Sequence, residues 1–319
     1  MPEREIHYMG ILANTDASIL KVHLEQGFKF ESMTYDQGIS FVSSLERWSA
    51  PFDIMKKLTM DLPCLHNEEK SFYYISNIIL GEVNLDDEFR LTSEFPSELM
   101  SFNKNLIQEY LKPSLRLMRL FKEGNICMPL EYYFVSGDDG VPRRLISQAG
   151  ASWRTLHSPE KYSLSATEIS DLEHFIRETK LPFQDFLELA FANFELSYET
   201  YNRGLSFLSL MISLETLFNP EAQELRYRVS RNSAVLLGKN FEESEQIFSA
   251  IKKLYDKRSK LVHTGSAAVI SKEDLAKLRD YVRRSIEKVY SLGMKKEDIL
   301  TELNNLGFGG KLAGNTGQN

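Results

Sequence analysis

The spacing of hydrophobic residues changes near position 165, and this change predicts two regions of different fold class. In the first region, short apolar runs with interspersed polar positions are bounded by turn-forming residues, which is typical of β-strands. The predicted strands are Ile6–Leu12, Ile19–Leu24, Phe72–Val83, Pro129–Val135 and Val141–Ser147. The last two flank the sequence SGDDG at 136–140 and are predicted to form a hairpin.

Helical spacing also occurs in this first region. Apolar residues recur every three to four positions over Ile39–Trp48 and over Ser97–Phe121, where Pro113 predicts a kink. Strands and helices together predict an α+β domain over residues 1–160.

From position 165 onward the apolar spacing is helical and predicts no further strand. The sequence SATE at 165–168 is a capping-box pattern, with Ser165 as the cap and Glu168 as its partner. It predicts a helix that ends before Pro182. A broad apolar stripe then predicts a second, long helix over Phe183–Phe218.

Three further predicted helices each end at a glycine, which is a common helix terminator. They are Glu221–Leu237, Glu242–Thr264 and Lys272–Leu292. With a short helix over Lys296–Leu306, these segments predict an all-α antiparallel helical bundle over residues 165–306. Residues 307–319 are rich in glycine and asparagine and are predicted to form a flexible tail.

Length and composition exclude several classes of protein. A chain of 319 residues with 42% hydrophobic content is long enough for two folded domains. No apolar run approaches the roughly 18 residues needed to cross a bilayer, and residues 1–10 lack a signal-peptide pattern. Cys64 and Cys127 lie far apart and do not have metal-site spacing. We therefore expect a cytoplasmic protein with reduced thiols, no membrane association, no bound metal and no cofactor.

The charge is distributed unevenly along the chain. The whole sequence has a formal net charge of −7, but Glu221–Tyr290 has 15 basic and 10 acidic residues. This excess of basic residues predicts a local surface that attracts phosphate groups on an otherwise acidic protein.

The sequence LYDKRSKLVHTG, at 254–265, contains the strongest candidates for chemistry. Arg258 and His263 are five residues apart, which separates them by about 140° around an ideal helix. Arginine binds two phosphate oxygens through its planar guanidinium group, and histidine transfers protons near neutral pH. The structural alternative is that Arg258 forms a surface ion pair and His263 only caps the helix.

Three segments in order resemble one known family. They are ISLETLF at 212–218, LRYRVSRNSAVLLG at 225–238 and LYDKRSKLVHTG at 254–265. Together they resemble the Apea-like branch of the HEPN family (higher eukaryotes and prokaryotes nucleotide-binding domains), over about two-fifths of the chain. The sharpest part is YDKRSKLVH, which is similar to the Arg-x4–6-His motif of that family.

The resemblance implies a helical bundle that pairs with a second copy, so that two sets of Arg258 and His263 share one cleft. It also implies a metal-independent endoribonuclease. One His263 would act as base and the other as acid while the 2′-hydroxyl of RNA attacks the adjacent phosphate. Arg258 would stabilise the developing charge, and the products would carry a 2′,3′-cyclic phosphate and a 5′-hydroxyl.

Neighbouring residues have candidate supporting roles. Asp256 is expected to orient Arg258 or His263, or simply to face solvent, and Ser259 to bind phosphate or the preceding helical turn. Glu215 needs a partner in its apolar segment, which is expected to be an arginine of the second segment, at 226, 228 or 231. The residues expected to bind RNA are Lys253, Lys257 and Lys260.

The resemblance thus implies a homodimeric HEPN ribonuclease that acts on RNA, in phage defence or a toxin system. The N-terminal domain would sense a trigger molecule or select the RNA, and the expected partners are RNA, a second copy of the chain and an antitoxin. The alternatives are a non-catalytic HEPN module that binds RNA, nucleotide or protein partners, and a scaffold whose bundle only dimerises.

Overall fold

The computed structural model describes residues 3–46, 71–82, 106–136, 142–150, 160–200, 202–219 and 224–312. The chain divides into two compact units, Met1–Thr179 and Lys180–Asn319. The first contains a sheet with helices and the second is helical over its described residues. This arrangement confirms the predicted order of an α+β region followed by an all-α region.

The N-terminal unit contains an antiparallel five-stranded sheet with the strand order β2-β3-β1-β4-β5. The strands are β1 (Glu3–Ala13), β2 (Lys29–Thr34), β3 (Ser71–Glu82), β4 (Cys127–Ser136) and β5 (Pro142–Gly150). The predicted pairing of β4 with β5 is confirmed. Residues 137–141 of the expected turn, and residues 97–105 of the expected kinked helix, lie outside the described residues.

Alternating side chains of the sheet are buried in two separate clusters. On β1, Tyr8 and Leu12 belong to one cluster, whereas Met9 and Ile11 belong to the other. Alternation of this kind places the two sets on opposite faces of the sheet. The helices of this unit are α1 (Tyr35–Glu46), α2 (Lys112–Phe121) and α3 (Ala166–Glu178). A π-helical turn, Ile107–Leu111, lies directly before α2, near the position where Pro113 predicts a kink.

One strand prediction in this unit is wrong and one strand was missed. The segment Ile19–Leu24 was predicted to be a strand, but its first residues belong to a 3₁₀ helix, Ala17–Lys21. The Asp16 carboxylate starts this helix by accepting a hydrogen bond from the Ser18 N–H at 2.9 Å. Strand β2 was not predicted, because only Phe30 of its six residues is buried and the alternation of apolar residues is therefore weak.

The boundary between the units lies after the helix that was predicted to begin the bundle. Helix α3 starts with the predicted capping box, in which the Ser165 N–H donates to the Glu168 carboxylate at 2.8 Å. However, Leu172 of α3 is buried in the same cluster as Tyr8 and Ile75 of the sheet. The apolar face of α3 therefore belongs to the N-terminal unit, and the helical unit begins at Lys180 rather than at 165.

The helical unit is built from six α-helices and one 3₁₀ helix, Ala267–Val269, over its described residues. The α-helices are α4 (Asp185–Glu199), α5 (Arg203–Phe218), α6 (Leu225–Leu237), α7 (Phe241–Thr264), α8 (Lys272–Leu292) and α9 (Lys296–Asn305). Their fully buried apolar side chains include Phe191, Phe194, Phe207, Phe218, Ile251, Val282 and Ile286. The predicted bounds of α8 are confirmed, because Ser271 caps its start and Gly293 ends it.

The single long helix predicted over Phe183–Phe218 is wrong, since two helices occupy this segment. Helix α4 ends where Thr200 adopts an extended conformation. Asn202 then starts α5, because its side-chain oxygen accepts hydrogen bonds from the N–H groups of Gly204 and Leu205. The apolar stripe continues through both helices, so hydrophobic spacing alone did not reveal the break.

The tail predicted as flexible from position 307 is packed over its first residues. The ring of Phe308 lies 5.6 Å from that of Phe248 and 6.0 Å from that of Phe241, measured between centroids. The Gly309 N–H also donates to the Ser244 hydroxyl at 3.2 Å. Residues 313–319 lie outside the described residues.

Candidate active site

Helix α7 carries both candidate catalytic residues and is well defined at its two ends. The Asn240 side chain accepts a hydrogen bond from the Glu243 N–H at 2.8 Å at the start of the helix. At the other end, Gly265 has a φ of 68° and its N–H donates to the Leu261 carbonyl at 2.9 Å. Because the helix is continuous between these caps, Arg258 and His263 keep an angular separation of about 140°.

Arg258 is held between α5 and α7 by a group that we call the Arg258 cluster, which consists of Arg258, Glu215 and Tyr255. The Arg258 Nη2 lies 3.3 Å from the Glu215 Oε1. The Tyr255 hydroxyl donates to the same oxygen at 2.8 Å. The guanidinium carbon also lies 5.3 Å from the centroid of the Tyr255 ring, within cation–π range.

The Arg258 cluster is partly buried, and this burial affects the ionisation of Tyr255. The side chains of Arg258 and Glu215 are 30% and 18% exposed. Burial and the hydrogen bond to the Glu215 carboxylate raise the pKa of Tyr255 well above its ordinary value, so its hydroxyl remains a donor. The Glu215 carboxylate is therefore shared by two donors, while the Arg258 Nε is buried without a hydrogen-bond partner.

His263 has very different surroundings. It lies in the last turn of α7 and is exposed. Among the described residues, no side chain forms a hydrogen bond or an ion pair with its imidazole ring. The ring is therefore free to contact a ligand or to exchange protons with solvent. Within one chain, the structure places Arg258 against α5 and leaves His263 outside the Arg258 cluster.

The predicted supporting residues have other contacts. Asp256 pairs with Arg226 at 2.6 Å and contacts neither Arg258 nor His263. Ser259 is exposed on α7, as are Lys253 and Lys260. These two lysines leave their ammonium groups available for phosphate, as the prediction requires.

Lys257 is held by a carboxylate on a neighbouring helix. Its ammonium group forms an ion pair with Asp274, in the first turn of α8. Burial raises the pKa of Asp274, but hydrogen bonds from Lys257 and Ser271 outweigh it and lower the pKa overall. Lys257 therefore ties α7 to α8, and it is less available for RNA than Lys253 and Lys260.

The prediction that Glu215 pairs with an arginine of the second segment is wrong, although Glu215 does form a structural ion pair. Its partner is Arg258 of the third segment, since α5 packs against α7 as well as α6. The arginines of the second segment have other contacts: Arg226 pairs with Asp256, Arg228 lies 4.0 Å from Glu224, and Arg231 donates to the carbonyl of Leu303 at 2.8 Å. The need of Glu215 for a partner could be predicted, because it is a carboxylate in an apolar run, but its contact with Tyr255 could not.

Two further properties concern the described part of the chain only. No group of three or more His, Cys, Asp or Glu side chains is arranged to bind a metal ion there. None of its helices is both long enough and apolar enough to span a bilayer.

Comparisons of the chain with models of protein families, with curated proteins and with solved structures give no match.

Proposed function

We propose that the helical unit is a metal-independent endoribonuclease of HEPN type. The observation that supports this proposal is that Arg258 and His263, on the same helix α7, have different surroundings. Arg258 is anchored by Glu215 and Tyr255 with its side chain 30% exposed, and His263 is exposed and forms no hydrogen bond or ion pair with another described side chain. One residue is positioned to hold a phosphate, and the other is free to move a proton.

The chemistry uses the two side chains in distinct roles. His263 removes the proton from the 2′-hydroxyl of RNA, which then attacks the adjacent phosphorus. Arg258 binds the non-bridging oxygens, on which negative charge increases in the transition state. A second histidine protonates the departing 5′-oxygen. The bond from phosphorus to that oxygen breaks, which leaves a 2′,3′-cyclic phosphate and a 5′-hydroxyl.

A second copy of the chain would supply the second histidine. Within one chain, a helical separation of about 140° keeps Arg258 and His263 on different sides of α7. A cleft between two copies allows Arg258 and His263 side chains from both chains to surround one phosphate. The proposed active species is therefore a homodimer. We further propose that it acts in phage defence or a toxin system. The N-terminal unit would sense a trigger or select the RNA.

A second candidate is a non-catalytic module that binds RNA or a protein. The observation that favours it is the ion pair between Arg258 and Glu215, because this contact gives Arg258 a structural role without any chemistry. In that case His263 is one exposed histidine among other surface residues.

The experiment that separates the two candidates is incubation of the purified full chain with total RNA, with and without EDTA, followed by analysis of the fragment ends. The ribonuclease predicts fragments with 2′,3′-cyclic phosphate and 5′-hydroxyl ends in both conditions. Absence of cleavage in both conditions favours the non-catalytic module. Cleavage that EDTA abolishes would contradict the metal-independent mechanism.

A further inference from the structure

Four aromatic side chains form a chain of ring contacts along the hairpin of α6 and α7, outside the Arg258 cluster. We call this group, Tyr227, Phe241, Phe248 and Phe308, the aromatic platform. The Tyr227 and Phe248 rings meet edge to face with centroids 6.0 Å apart. Tyr227 and Phe241 are 54% and 55% exposed, so the platform presents ring surface to solvent.

Packing of the C-terminal segment explains only part of this arrangement. Phe308 lies against Phe241 and Phe248 and covers ring surface on both. Tyr227 meets Phe248 and, within the described part of the chain, forms no ring contact with Phe308. A residue that served only to hold the C-terminal segment would not need an exposed ring at position 227.

Basic side chains adjoin the platform on one side. The Lys252 ammonium group lies 5.5 Å from the centroid of the Phe248 ring. Arg226 precedes Tyr227 and is exposed, and its ion pair with Asp256 is solvent-exposed and therefore weak. Helix α6 has three arginines and no carboxylate, and α7 from Gln246 onward has five basic residues and one carboxylate.

The platform shares a face of α7 with the candidate catalytic histidine. At about 100° per residue, Phe248, Lys252, Ser259 and His263 fall within about 60° of one another around the helix. With a rise of 1.5 Å per residue, Phe248 and His263 are about 22 Å apart along the axis. Glu245 lies one turn before Phe248, so a polyanion that contacts the platform is favoured in the direction of Lys252 and His263.

We propose that the aromatic platform binds the bases of single-stranded RNA and that the strand runs along this face of α7 toward His263. Exposed aromatic rings beside cations bind unpaired bases by stacking while the cations contact the phosphates. Duplex RNA hides its base faces, so it cannot use the rings in this way. The inference rests on the proposed function for the identity of the ligand, and it narrows that ligand to unpaired RNA.

The test is a binding measurement on the full chain carrying His263→Ala, which keeps the RNA uncut. Fluorescence anisotropy is measured with a labelled single-stranded oligouridine and with a labelled blunt RNA duplex. We expect Tyr227→Ala to weaken single-strand binding by about five- to 150-fold, because stacking on an aromatic ring contributes this much per base. Tyr227→Phe retains the ring and is expected to bind within about twofold of the parent.

Two further variants control for packing. Phe248→Leu keeps an apolar side chain against Phe308 but removes the ring, and we expect a loss similar to that of Tyr227→Ala. Phe186→Ala removes another partly buried aromatic ring of the same unit, one that lies 5.7 Å from the Lys296 ammonium group. It is expected to leave RNA binding unchanged, and duplex binding is expected to change little in all of these variants.

The outcomes separate this inference from the proposed function. Ring-dependent binding of single strands by a wild-type chain that never cleaves RNA would support the platform and contradict the ribonuclease. Cleavage by wild type with full single-strand binding in Tyr227→Ala and Phe248→Leu would overturn the platform alone. Equal losses for single strands and duplex, absence of RNA binding, or a change only in self-association would also overturn it.

Discussion

Arg258 and His263 lie on two sides of α7 and differ in the contacts that hold their side chains, although the same helix supplies both. On one side Arg258 is tied to Glu215 and Tyr255 by an ion pair and ring contact. On the other side His263 is exposed and forms no hydrogen bond or ion pair with another described side chain. The comparison shows that a residue spacing in the sequence does not determine whether two side chains share surroundings.

The difference suggests that the two residues contribute to function in different ways. A phosphate-binding group benefits from a fixed position, because misplacement weakens transition-state stabilisation. A proton carrier must be reachable by substrate and by water. Substitution of Arg258 or of the residues that anchor it should therefore change stability as well as rate, whereas substitution of His263 should change rate alone.

The largest effect is expected for His263→Ala. Removing the proton carrier should lower the cleavage rate by about 10² to 10⁴, because general acid–base catalysis contributes that much. RNA affinity and the melting temperature should remain near the wild-type values, since the imidazole ring is exposed. The matched control is His174→Ala, which removes an exposed helical histidine of the N-terminal unit. Equal cleavage by the two variants would argue against His263.

The next effect is expected for Arg258. Arg258→Ala should lower the cleavage rate by about 10² to 10³, as for loss of one oxyanion-stabilising group, and should also weaken RNA binding. Arg258→Lys keeps the charge but loses the planar fork, so we expect partial recovery of binding with little recovery of rate. Full recovery of the rate by lysine would show that charge alone is required at this position.

A smaller effect is expected for the residues that anchor Arg258. Glu215→Ala leaves the Tyr255 hydroxyl and the guanidinium group without their shared acceptor, which should cost about 1 to 3 kcal/mol of unfolding free energy. Glu215→Gln keeps an acceptor for Tyr255 and should cost less. Chemical denaturation measures both values. If neither variant changes stability or cleavage, the Arg258 cluster does not position Arg258.

The smallest effect is expected for Asp256→Asn, which breaks the exposed pair with Arg226. Such pairs contribute about 0 to 1 kcal/mol, so stability should hardly change. Cleavage should also be retained, because Asp256 contacts neither Arg258 nor His263. A large loss of cleavage with normal stability would restore the orienting role that the sequence suggested for Asp256.

Much of the fold could be predicted because local signals and packing agree. Helix α8 has a serine cap, a helical apolar stripe and a terminal glycine, and its bounds were confirmed. The break between α4 and α5 could not be predicted from the stripe, because apolar residues of both helices face the same core. The placement of α3 was missed for a similar reason: a helix pattern shows that a face is buried, but not against which unit.

The candidate site was predicted only in part. The motif identified Arg258 and His263, and the apolar surroundings of Glu215 indicated that its carboxylate needs a partner. The choice of that partner depends on how α5 packs against α6 and α7, which no spacing within one segment reports. The roles of Tyr255 and Tyr227 were missed because a tyrosine in a helix is usual both in cores and on surfaces.

In the proposed ribonuclease, cleavage needs two copies of the chain, since Arg258 and His263 lie on different sides of α7 within one copy. This requirement is tested by measuring molar mass by light scattering and cleavage per chain across one dilution series of the wild-type protein. We expect a dimer wherever cleavage per chain is full, and a loss of cleavage in step with any dissociation. A monomer that cleaves RNA at the full rate would contradict it.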